Sequence, residues 1–323
     1  MNFAGILSTT NQPAVNLATE EYLLKKRNEN IFFLYDDCPS IICGKHQNTL
    51  AETNFQVARS LSLKVYRRLS GGGTVYHDEG NLNFCFITNE PAQHMIDFKR
   101  YSQPILEILN NLGVKAYFGG RNDFLIDGKK ISGNACHVYK NRVMHHGTLL
   151  FNSNLSNLGS SLKIDPTKYT DKAVKSVRSV VTNISEHIKP RITFHEFKSA
   201  ILTHIVNGGQ INLSETEMAE INHLAETKYA TWEWNYGYSP EYKFKKRLSF
   251  PNVLLTMHAE LGVQKGIVQT ISVLSNKEAN AVKFLFAKLE GQPHRLETFV
   301  NIIGEDLSQL LKMDANEVLI QFF

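Results

Sequence analysis

Hydrophobic residues follow two different spacings along this chain, and together they predict a mixed α/β protein. Short apolar runs rich in β-branched and aromatic residues are typical of strands, and they recur through the first half of the sequence. We expect strands at Ile31–Tyr35, Ser40–Cys43, Leu63–Tyr66, Thr74–Tyr76, Leu82–Ile87, Val114–Phe118, Asp123–Ile126, Lys130–Ser132 and Arg142–Phe151. Gly128, between two of these runs, predicts a tight hairpin turn.

Helical spacing appears between these runs and dominates the later sequence. Asn16 is a common N-cap residue type, and it precedes a periodic stretch that reaches Leu24, so a first helix is expected there. Further helices are expected at Tyr101–Leu112, Phe194–Val206 and Glu215–Lys228. Residues 153–192 have little periodicity and contain Pro166 and Pro190 as breaks, which predicts loops with short helices.

The last third of the chain predicts a small α+β domain. Strands are expected at Val253–Ala259 and Ile267–Val273, and helices at Asn276–Leu289, Leu296–Leu311 and Ala315–Gln321. The segment Gly237–Lys246 contains a proline and several lysines, so we interpret it as a surface segment at the domain boundary. The predicted domains are residues 1–240 and residues 241–323.

Composition narrows the class of protein. With 42% hydrophobic and 20% charged residues, the 323-residue chain has the make-up of a globular protein with ample core material. No apolar run reaches the roughly 18 residues of a membrane span, and the first residues do not resemble a secretory signal. A net charge of +4 is too small to indicate nucleic-acid binding. We therefore expect neither a membrane nor a nucleic acid as partner.

The cysteines and histidines suggest neither disulfides nor zinc. The four cysteines form no CxxC pair, so reduced thiols in a cytosol-like compartment are expected. Cys136-His137 and His145-His146 could supply metal ligands, but their spacing matches no closed zinc site. Core or site-wall positions are the better interpretation.

Residues 67–83 carry the strongest chemical signal. Arg67 and Arg68 precede Ser70 and the three glycines Gly71–Gly73. Guanidinium groups match phosphate and carboxylate oxygens, and consecutive glycines let backbone N–H groups approach an anion closely. The spacing fits neither the Walker loop nor the dinucleotide fingerprint, where a third glycine would replace Tyr76. A glycine-rich turn with exposed arginines is the alternative, but the paired arginines favour a loop that binds an anionic ligand.

A second candidate segment supplies a lysine. Lys129 and Lys130 lie on a predicted strand, so their side chains should point to opposite faces and only one can reach an interior site. Asp123 could orient that lysine or hold a magnesium ion. Lone strand lysines are usually solvated, but the neighbouring Asp123, Ser132 and Gly133 favour a functional Lys130.

Six ordered motifs resemble the lipoate–protein ligases. They are 67–78 with Gly80-Asn81, Gly120-Arg121-Asn122-Asp123, Lys130-Ile131-Ser132-Gly133, His146-Gly147-Thr148-Leu149-Leu150, 176–183, and the tryptophan-rich stretch 231–237. The resemblance covers about residues 15–290. It implies a fold of class α/β (α+β), with a catalytic domain like that of biotin and lipoate ligases and a small α+β accessory domain.

The resemblance also implies an activity and its residues. The family joins lipoate to ATP, giving lipoyl-AMP and pyrophosphate, and then transfers the lipoyl group to a lysine of a carrier domain. Lys130 would be the catalytic residue and would contact the lipoyl carbonyl and the phosphate, and Arg68 would contact the nucleotide phosphates. The remaining residues implied in binding ATP or lipoyl-AMP are Ser70, Gly71, Gly72, Gly73, Thr74, Val75, Tyr76, Asn81, Asn83, Asp123, Ser132, Gly133, His146 and Thr148.

Substrates and partners follow from the same resemblance. ATP, Mg²⁺ and lipoate would be needed, with no tightly bound cofactor. The acceptors would be lipoyl domains of 2-oxoacid dehydrogenase E2 subunits and the glycine cleavage H protein. The expected compartment is the cytoplasm, or the mitochondrial matrix in a eukaryote.

The sequence bears on four alternative functions. Octanoyl transfer through a cysteine is disfavoured because no cysteine occurs at 119–122, and Cys136 lies downstream of Lys130. A lipoyltransferase that uses preformed lipoyl-AMP has nearly the same motifs and stays open. A non-catalytic binding module would gain support from an N-terminal helix-turn-helix or from a lost Lys130, and the sequence shows neither. Biotin transfer is disfavoured because biotin ligases have a glycine–arginine alternation in the equivalent loop.

Overall fold

The fold is a mixed α/β arrangement, as predicted. The computed structural model describes residues 2–91, 96–119, 122–165, 167–250, 253, 255–275 and 280–323. Its helices are α1 (Pro13–Lys26), α2 (Thr49–Glu52), α3 (Phe55–Ser60), α4 (Phe98–Asn111), α5 (Leu155–Ser161), α6 (Phe194–Ile205), α7 (Glu215–Leu224), α8 (Asn280–Ala287), α9 (Leu296–Leu311) and α10 (Ala315–Leu319). Short 3₁₀ turns occur at Ile184–Glu186 and Ile320–Phe322, and π-helical turns at Ala225–Tyr229 and Glu233–Gly237.

The strands form three sheets. They are β1 (Ala4–Leu7), β2 (Ile31–Asp36), β3 (Ser40–Cys43), β4 (Lys64–Arg67), β5 (Val75–His77), β6 (Asn81–Asn89), β7 (Tyr117–Phe118), β8 (Asp123–Ile126), β9 (Lys129–Tyr139), β10 (Arg142–Leu150), β11 (Tyr169–Asp171), β12 (Tyr242–Phe250), β13 (Leu255–Gln264) and β14 (Ile267–Ser275). The sheet orders are β1-β2-β6-β10-β9-β8-β7, β4-β3-β5 and β11-β12-β13-β14.

Two compact units can be distinguished in the chain. The first contains residues 1–45, 63–160 and 176–231, and the second contains 46–62, 161–175 and 232–323. The second unit therefore includes two early segments that the predicted division into 1–240 and 241–323 leaves out. That division into a catalytic and an accessory domain stays a prediction.

Both faces of the large sheet in the first unit are covered, which explains why its central strands β2, β6 and β10 are buried at nearly every position. Phe32, Leu34, Phe84 and Phe86 belong to a core that also contains buried residues of α4 and α6. The neighbouring residues in each strand point to the opposite face, where α1 contacts β2, β6 and β10. The site described below lies on that second face.

Helix α1 begins earlier than the sequence suggested. The predicted N-cap, Asn16, lies inside the helix, which begins at Pro13 with Gln12 as N-cap. Proline is favoured in the first turn because its fixed φ suits the helix and its missing N–H would have no partner there. Asn16 is buried instead, and its Nδ2 donates to Asp37 Oδ1 at 2.7 Å.

In the second unit, two strands were missed: β11, which lies in the stretch predicted as loops with short helices, and β12. The segment interpreted as a surface boundary contains the start of β12, in which buried Tyr242, Phe244 and Leu248 alternate with exposed lysines. Its partner β13 carries Met257 and Leu261 into the same core, which α9 covers with Phe299 and other residues. The lysines of β12 led us to interpret this stretch as a surface segment, although the strand is buried on one face.

Several predictions fall partly outside the described residues. The residues concerned are Pro166, Gly120, Arg121, Leu254 in the predicted strand 253–259, and 276–279 at the start of the predicted helix 276–289. The predicted hairpin turn is confirmed, with φ of 48° at Asp127 and 75° at Gly128. Within the described residues, no helix has both the length and the apolar character that a bilayer span requires.

A buried ion cluster joins α1 to the π-helical turn 225–229. Glu21 accepts hydrogen bonds from Lys25, Lys228 and Tyr229, each at 2.6 Å. Burial alone would raise the pKa of Glu21, but the bonds from Lys228, Lys25 and Tyr229 outweigh it and lower the pKa to about 2.

We predict that Glu21→Gln lowers the free energy of unfolding by roughly 2 kcal/mol, because it leaves two partly buried ammonium groups without a carboxylate. The pKa of Glu21 is lowered from its usual value of 4.5 to about 2. The stabilisation should therefore be complete above about pH 4.5 and be lost as the pH falls towards 2. Urea unfolding of both proteins across this pH range measures the difference. Glu220→Gln is the control, since Glu220 makes a 3.7 Å ion pair with half of its side chain exposed, and equal effects of both substitutions would contradict the prediction.

Candidate active site

The triple-glycine loop connects β4 to β5, and the Arg68 side chain holds its shape. Nη2 of Arg68 donates to the carbonyl oxygens of Gly71 at 2.6 Å and Gly73 at 2.7 Å. Nη1 donates to the carbonyl of Ile42 at 3.1 Å, and Nε donates to Ser70 Oγ at 3.0 Å. Burial lowers the pKa of the guanidinium to about 10. In this structure Arg68 therefore organises the loop through its own carbonyls, and its predicted contact with nucleotide phosphates stays a prediction.

The backbone after β3 packs directly against this loop. A Cβ on Gly44 would lie 2.1 Å from the carbonyl oxygen of Gly72, so no other residue type fits without moving the loop. Gly72 has a φ of +85°, which also favours glycine. Next to it, the N–H of Lys45 donates to the Ser70 carbonyl at 2.8 Å. Arg67 is fully buried and donates to the carbonyls of Gly44 and Lys45.

The register of the large sheet brings the loop next to β9. Ala135 pairs with His146, and His146 pairs with Cys85 on the next strand, so all three point to the face that α1 covers. A Cβ on Gly72 would lie 3.6 Å from Cβ of Ala135. The glycine loop therefore lies across this face of β9.

A β-bulge turns Lys130 onto the same face. Leu125 pairs with Lys130 and Phe124 pairs with Ser132, so Ile131 has no partner on β8. Strict alternation would send Lys130 to the side of Ser132. The extra residue reverses this, and a Cβ on Gly133 would lie only 3.1 Å from Nζ of Lys130. Gly133 and Ala135 are two residues apart on one face, roughly 7 Å along the strand.

Lys130 is held by a carboxylate and by a neighbouring segment. Its Nζ lies 2.9 Å from Oδ1 of Asp123, and about a quarter of each side chain is exposed. The backbone N–H of Lys130 donates to the carbonyl of Val180, and the N–H of Thr182 donates to the carbonyl of Lys130. Ser176, earlier in the same segment, accepts a 2.9 Å bond from the N–H of Thr74. Residues 176–182 therefore contact both halves of the site, whereas Lys129 is exposed.

A buried chain of hydrogen bonds lies beneath the loop. Ser70 Oγ and His146 Nε2 are 2.6 Å apart, and His146 Nδ1 lies 2.8 Å from Oε1 of Glu20. The carboxylate of Glu20 can only accept, so Nδ1 of His146 donates to it, and Nε2 shares the second hydrogen bond of the ring with the serine hydroxyl. Tyr35 donates to Glu20 as well, at 3.0 Å. The chain fixes the orientation of Ser70, whose Oγ also accepts from Arg68.

Comparisons with known proteins identify the family. A family profile described as the lipoyl protein ligase A/B catalytic domain matches residues 12–206. Lipoate-protein ligase LplJ of Bacillus subtilis (strain 168) is 39% identical over 274 residues, which cover 82% of this chain and 82% of LplJ. The chain belongs to the lipoate–protein ligase family. The resemblance in the ordered motifs is confirmed, and the family is one of ligase enzymes.

Solved structures support the fold of this ligase family. The chain superposes on a chain from the structural analysis of the bi-partite lipoate protein ligase of Thermoplasma acidophilum and its E2 lipoyl domain. The TM-score is 0.65 and the sequence identity is 23%, and the match covers 74% of this chain and 97% of that one. A lipoate-protein ligase A bound with ATP superposes with a TM-score of 0.64 and 24% sequence identity. The match covers 74% of this chain and 100% of that one. The predicted fold class, an α/β (α+β) ligase-like fold with an α+β C-terminal region, is confirmed.

The remaining residues implied by the ligase resemblance lie at several places in the first unit. Four of them lie on the face of Lys130: Gly133, His146, Thr148 and Asn83. Thr148 pairs with Asn83, and the Oγ1 of Thr148 accepts a hydrogen bond from the N–H of Gly133.

The others lie elsewhere. Thr74 leads into β5, where Val75 and Tyr76 pair with Ile42 and Ile41 of β3. Asn81 is buried and donates to Asn83 at 2.8 Å. Ser132 lies on the opposite face of β9, with Asn134. The binding roles of all these residues stay predictions.

The sequence alone did not point to three side chains of this candidate site. Glu20 and Tyr35 complete the hydrogen-bond chain to Ser70, and Asn134 bonds the backbone before Asp123. Glu20 is a glutamate in a helix, where this residue type is common, so no local signal marks it. Only the pairing of β2, β6, β10 and β9 brings these positions together.

Gly44→Ala tests the close approach of the two backbones. We expect lipoyl transfer to a carrier domain to slow on the order of 100-fold, because the loop must move by about an ångström. Gly159→Ala in α5 is the control, since its Cβ would meet no atom within 4 Å, and it should keep normal transfer. Normal transfer by Gly44→Ala would contradict the described geometry.

Proposed function

We propose that the chain is an ATP-dependent lipoate–protein ligase that makes lipoyl-AMP and transfers the lipoyl group to a lysine of a carrier domain. One observation carries the proposal: the ammonium of Lys130 and the triple-glycine loop lie on the same face of β9, beside Gly133 and Ala135 respectively. A fixed cation and closely approaching backbone N–H groups suit a ligand with a phosphate joined to an acyl group.

In the first half-reaction, a carboxylate oxygen of lipoate attacks the α-phosphorus of ATP. The bond to the bridging oxygen of the β-phosphate breaks, and pyrophosphate leaves. Negative charge grows on the phosphoryl oxygens, and Lys130 would stabilise it because its ammonium, about a quarter exposed, is less screened by water than a surface charge. Residues Gly73–Tyr76 would bind the adenylate through their backbone.

In the second half-reaction, the amine of the carrier lysine attacks the lipoyl carbonyl and AMP leaves. The carbonyl oxygen becomes negative in the transition state, so the same Lys130 would serve again. A lysine with the reference pKa of about 10.4 is neutral in only roughly one of a few thousand molecules at pH 7. The amine must therefore lose a proton on the way, and Asp123 is a candidate acceptor when it is not paired with Lys130.

Mg²⁺ is proposed to arrive with ATP as part of the substrate. Magnesium in nucleotide sites is usually held by phosphate oxygens with one or two carboxylates. Asp123 has a partly exposed carboxylate beside Lys130, and it is the proposed protein ligand of the ion.

The proposed acceptors are lipoyl domains of 2-oxoacid dehydrogenase E2 subunits and the glycine cleavage H protein. Support comes from the Thermoplasma acidophilum ligase, which was studied with its E2 lipoyl domain. The proposed compartment is the cytoplasm, or the mitochondrial matrix in a eukaryote.

Cysteine-dependent octanoyl transfer has little support. Burial raises the pKa of the Cys136 thiol, so the thiol is predominantly protonated at neutral pH and is a poor nucleophile.

The ligase proposal predicts that the purified protein releases pyrophosphate from lipoate and Mg-ATP before any acceptor is added. A coupled pyrophosphate assay measures this, with octanoate as a second acid, since an apolar pocket rejects such an analogue only weakly. If no pyrophosphate forms while synthetic lipoyl-AMP supports normal transfer, the protein is a lipoyltransferase and the proposal fails.

Lys130→Ala should reduce both half-reactions by at least about 100-fold, because each passes through an oxyanion beside this ammonium. Lys129→Ala is the matched control, since Lys129 is exposed at the neighbouring position of the same strand. The two rates are measured separately, as pyrophosphate release and as transfer from synthetic lipoyl-AMP. Equal loss in both variants would show that Lys130 has no special position.

A further inference from the structure

We propose that Asn134 is a positioning residue that fixes Asp123 and, through it, the ammonium of Lys130. The inference rests on the proposed function and adds a residue on the opposite face of the sheet.

The side chain of Asn134 holds the backbone next to Asp123. Its Nδ2 donates to the carbonyl of Asn122 at 2.7 Å, and its backbone N–H donates to the same oxygen at 3.1 Å. The side-chain amide of Asn122 donates back to the carbonyl of Asn134. These bonds continue the pairing of β8 and β9 by one residue beyond Asp123, which pairs with Gly133.

The backbone is therefore fixed on both sides of Asp123. The carbonyl before it is held by Asn134, and its own carbonyl accepts a 2.7 Å bond from the N–H of Gly119. With its Cα fixed, the carboxylate of Asp123 has few rotamers that reach Nζ of Lys130, which lies 2.9 Å away.

Neighbouring residues leave space for Asn134 and hold its amide. Asn134 pairs with Gly147 of β10, where a Cβ would lie 2.2 Å from its Oδ1. Its Nδ2 also lies 3.2 Å from Oγ of Ser132, on the same face. Gly147 is thus required for this rotamer of Asn134, a residue that is only 9% exposed.

A lysine in a catalytic site needs such support. Its four-carbon stem is flexible, and the ammonium has no preferred direction of its own. Displacement by about 1 Å from the reacting oxygen costs on the order of 100-fold in rate. The bulge at Ile131 directs the stem, and we infer that the Asn134–Asp123 contact selects the position of Nζ.

A double-mutant cycle with Asp123 tests the inference. Asn134→Ala should lower kcat for pyrophosphate release by about 10- to 100-fold and change KM for ATP and lipoate by less than about threefold. In the Asp123→Ala background, the same substitution should cost less than about twofold, because the residue it positions is gone. Losses that multiply in the double variant, or a normal kcat in Asn134→Ala, would overturn the inference.

Two further variants separate positioning from folding. Asn134→Asp keeps the shape but cannot donate to the Asn122 carbonyl, so it should lose kcat like Asn134→Ala; normal kcat in Asn134→Asp would overturn the inference. Asn141→Ala, in the exposed turn of the same hairpin, should leave kcat and the thermal midpoint unchanged. A loss of kcat in Asn141→Ala equal to that in Asn134→Ala would mean that the hairpin as a whole is sensitive, and would also overturn the inference.

Failure of the proposed function can be distinguished from failure of the inference about Asn134. If the unmodified protein releases no pyrophosphate, the same cycle is measured by transfer from synthetic lipoyl-AMP. The activity of the unmodified protein decides the function, and the ratios among variants decide the role of Asn134.

Discussion

One unpaired residue, Ile131, determines where the cation of this site lies. With regular pairing, Lys130 would point with Ser132 and Asn134 to the face that packs against the core of α4 and α6. The bulge moves its side chain to the face of Gly133 and Ala135, across which the glycine loop lies. Bulges are enriched beside active sites because they redirect one side chain without disturbing the rest of the ladder. The other features of the site depend on this placement.

The site contains two kinds of cation with different roles. Arg67 and Arg68 are buried and donate to backbone carbonyls, so their charge stabilises the loop. Lys130 is partly exposed and is paired with the carboxylate of Asp123, and its ammonium has further N–H donors that can reach a substrate. Guanidinium suits the first role because its donors are arranged in a rigid plane, and ammonium suits the second because it rotates freely. Beneath them, Glu20 and His146 orient Ser70, so the polar side chains under the loop are hydrogen-bonded to one another.

The sequence was informative where local chemistry decides the structure. Apolar runs located β2, β3 and β8 within a residue, and Asp127-Gly128 located the hairpin turn. Prediction from the sequence failed where tertiary contacts decide the structure. Strand β9 extends to Tyr139, well beyond the predicted Ser132, because pairing of Gly133 with β8 and of residues 134–139 with β10 overrides the low strand propensity of Gly133 and Asn134. The lysines of β12 concealed a strand in the same way.

Both halves of the candidate site were found from residue types, but their geometry was not. Alternation correctly separated Lys129 from Lys130, yet which face each would occupy depends on a register shift that no local pattern encodes. The central claim is that the ammonium of Lys130 meets the acyl phosphate held by the glycine loop. A crystal structure with bound lipoyl-AMP tests it most directly. The account predicts Nζ of Lys130 within about 3 Å of a phosphate or acyl oxygen, with Ile131 still unpaired. Lipoyl-AMP bound elsewhere, or Nζ directed to the face of Ser132, would contradict it.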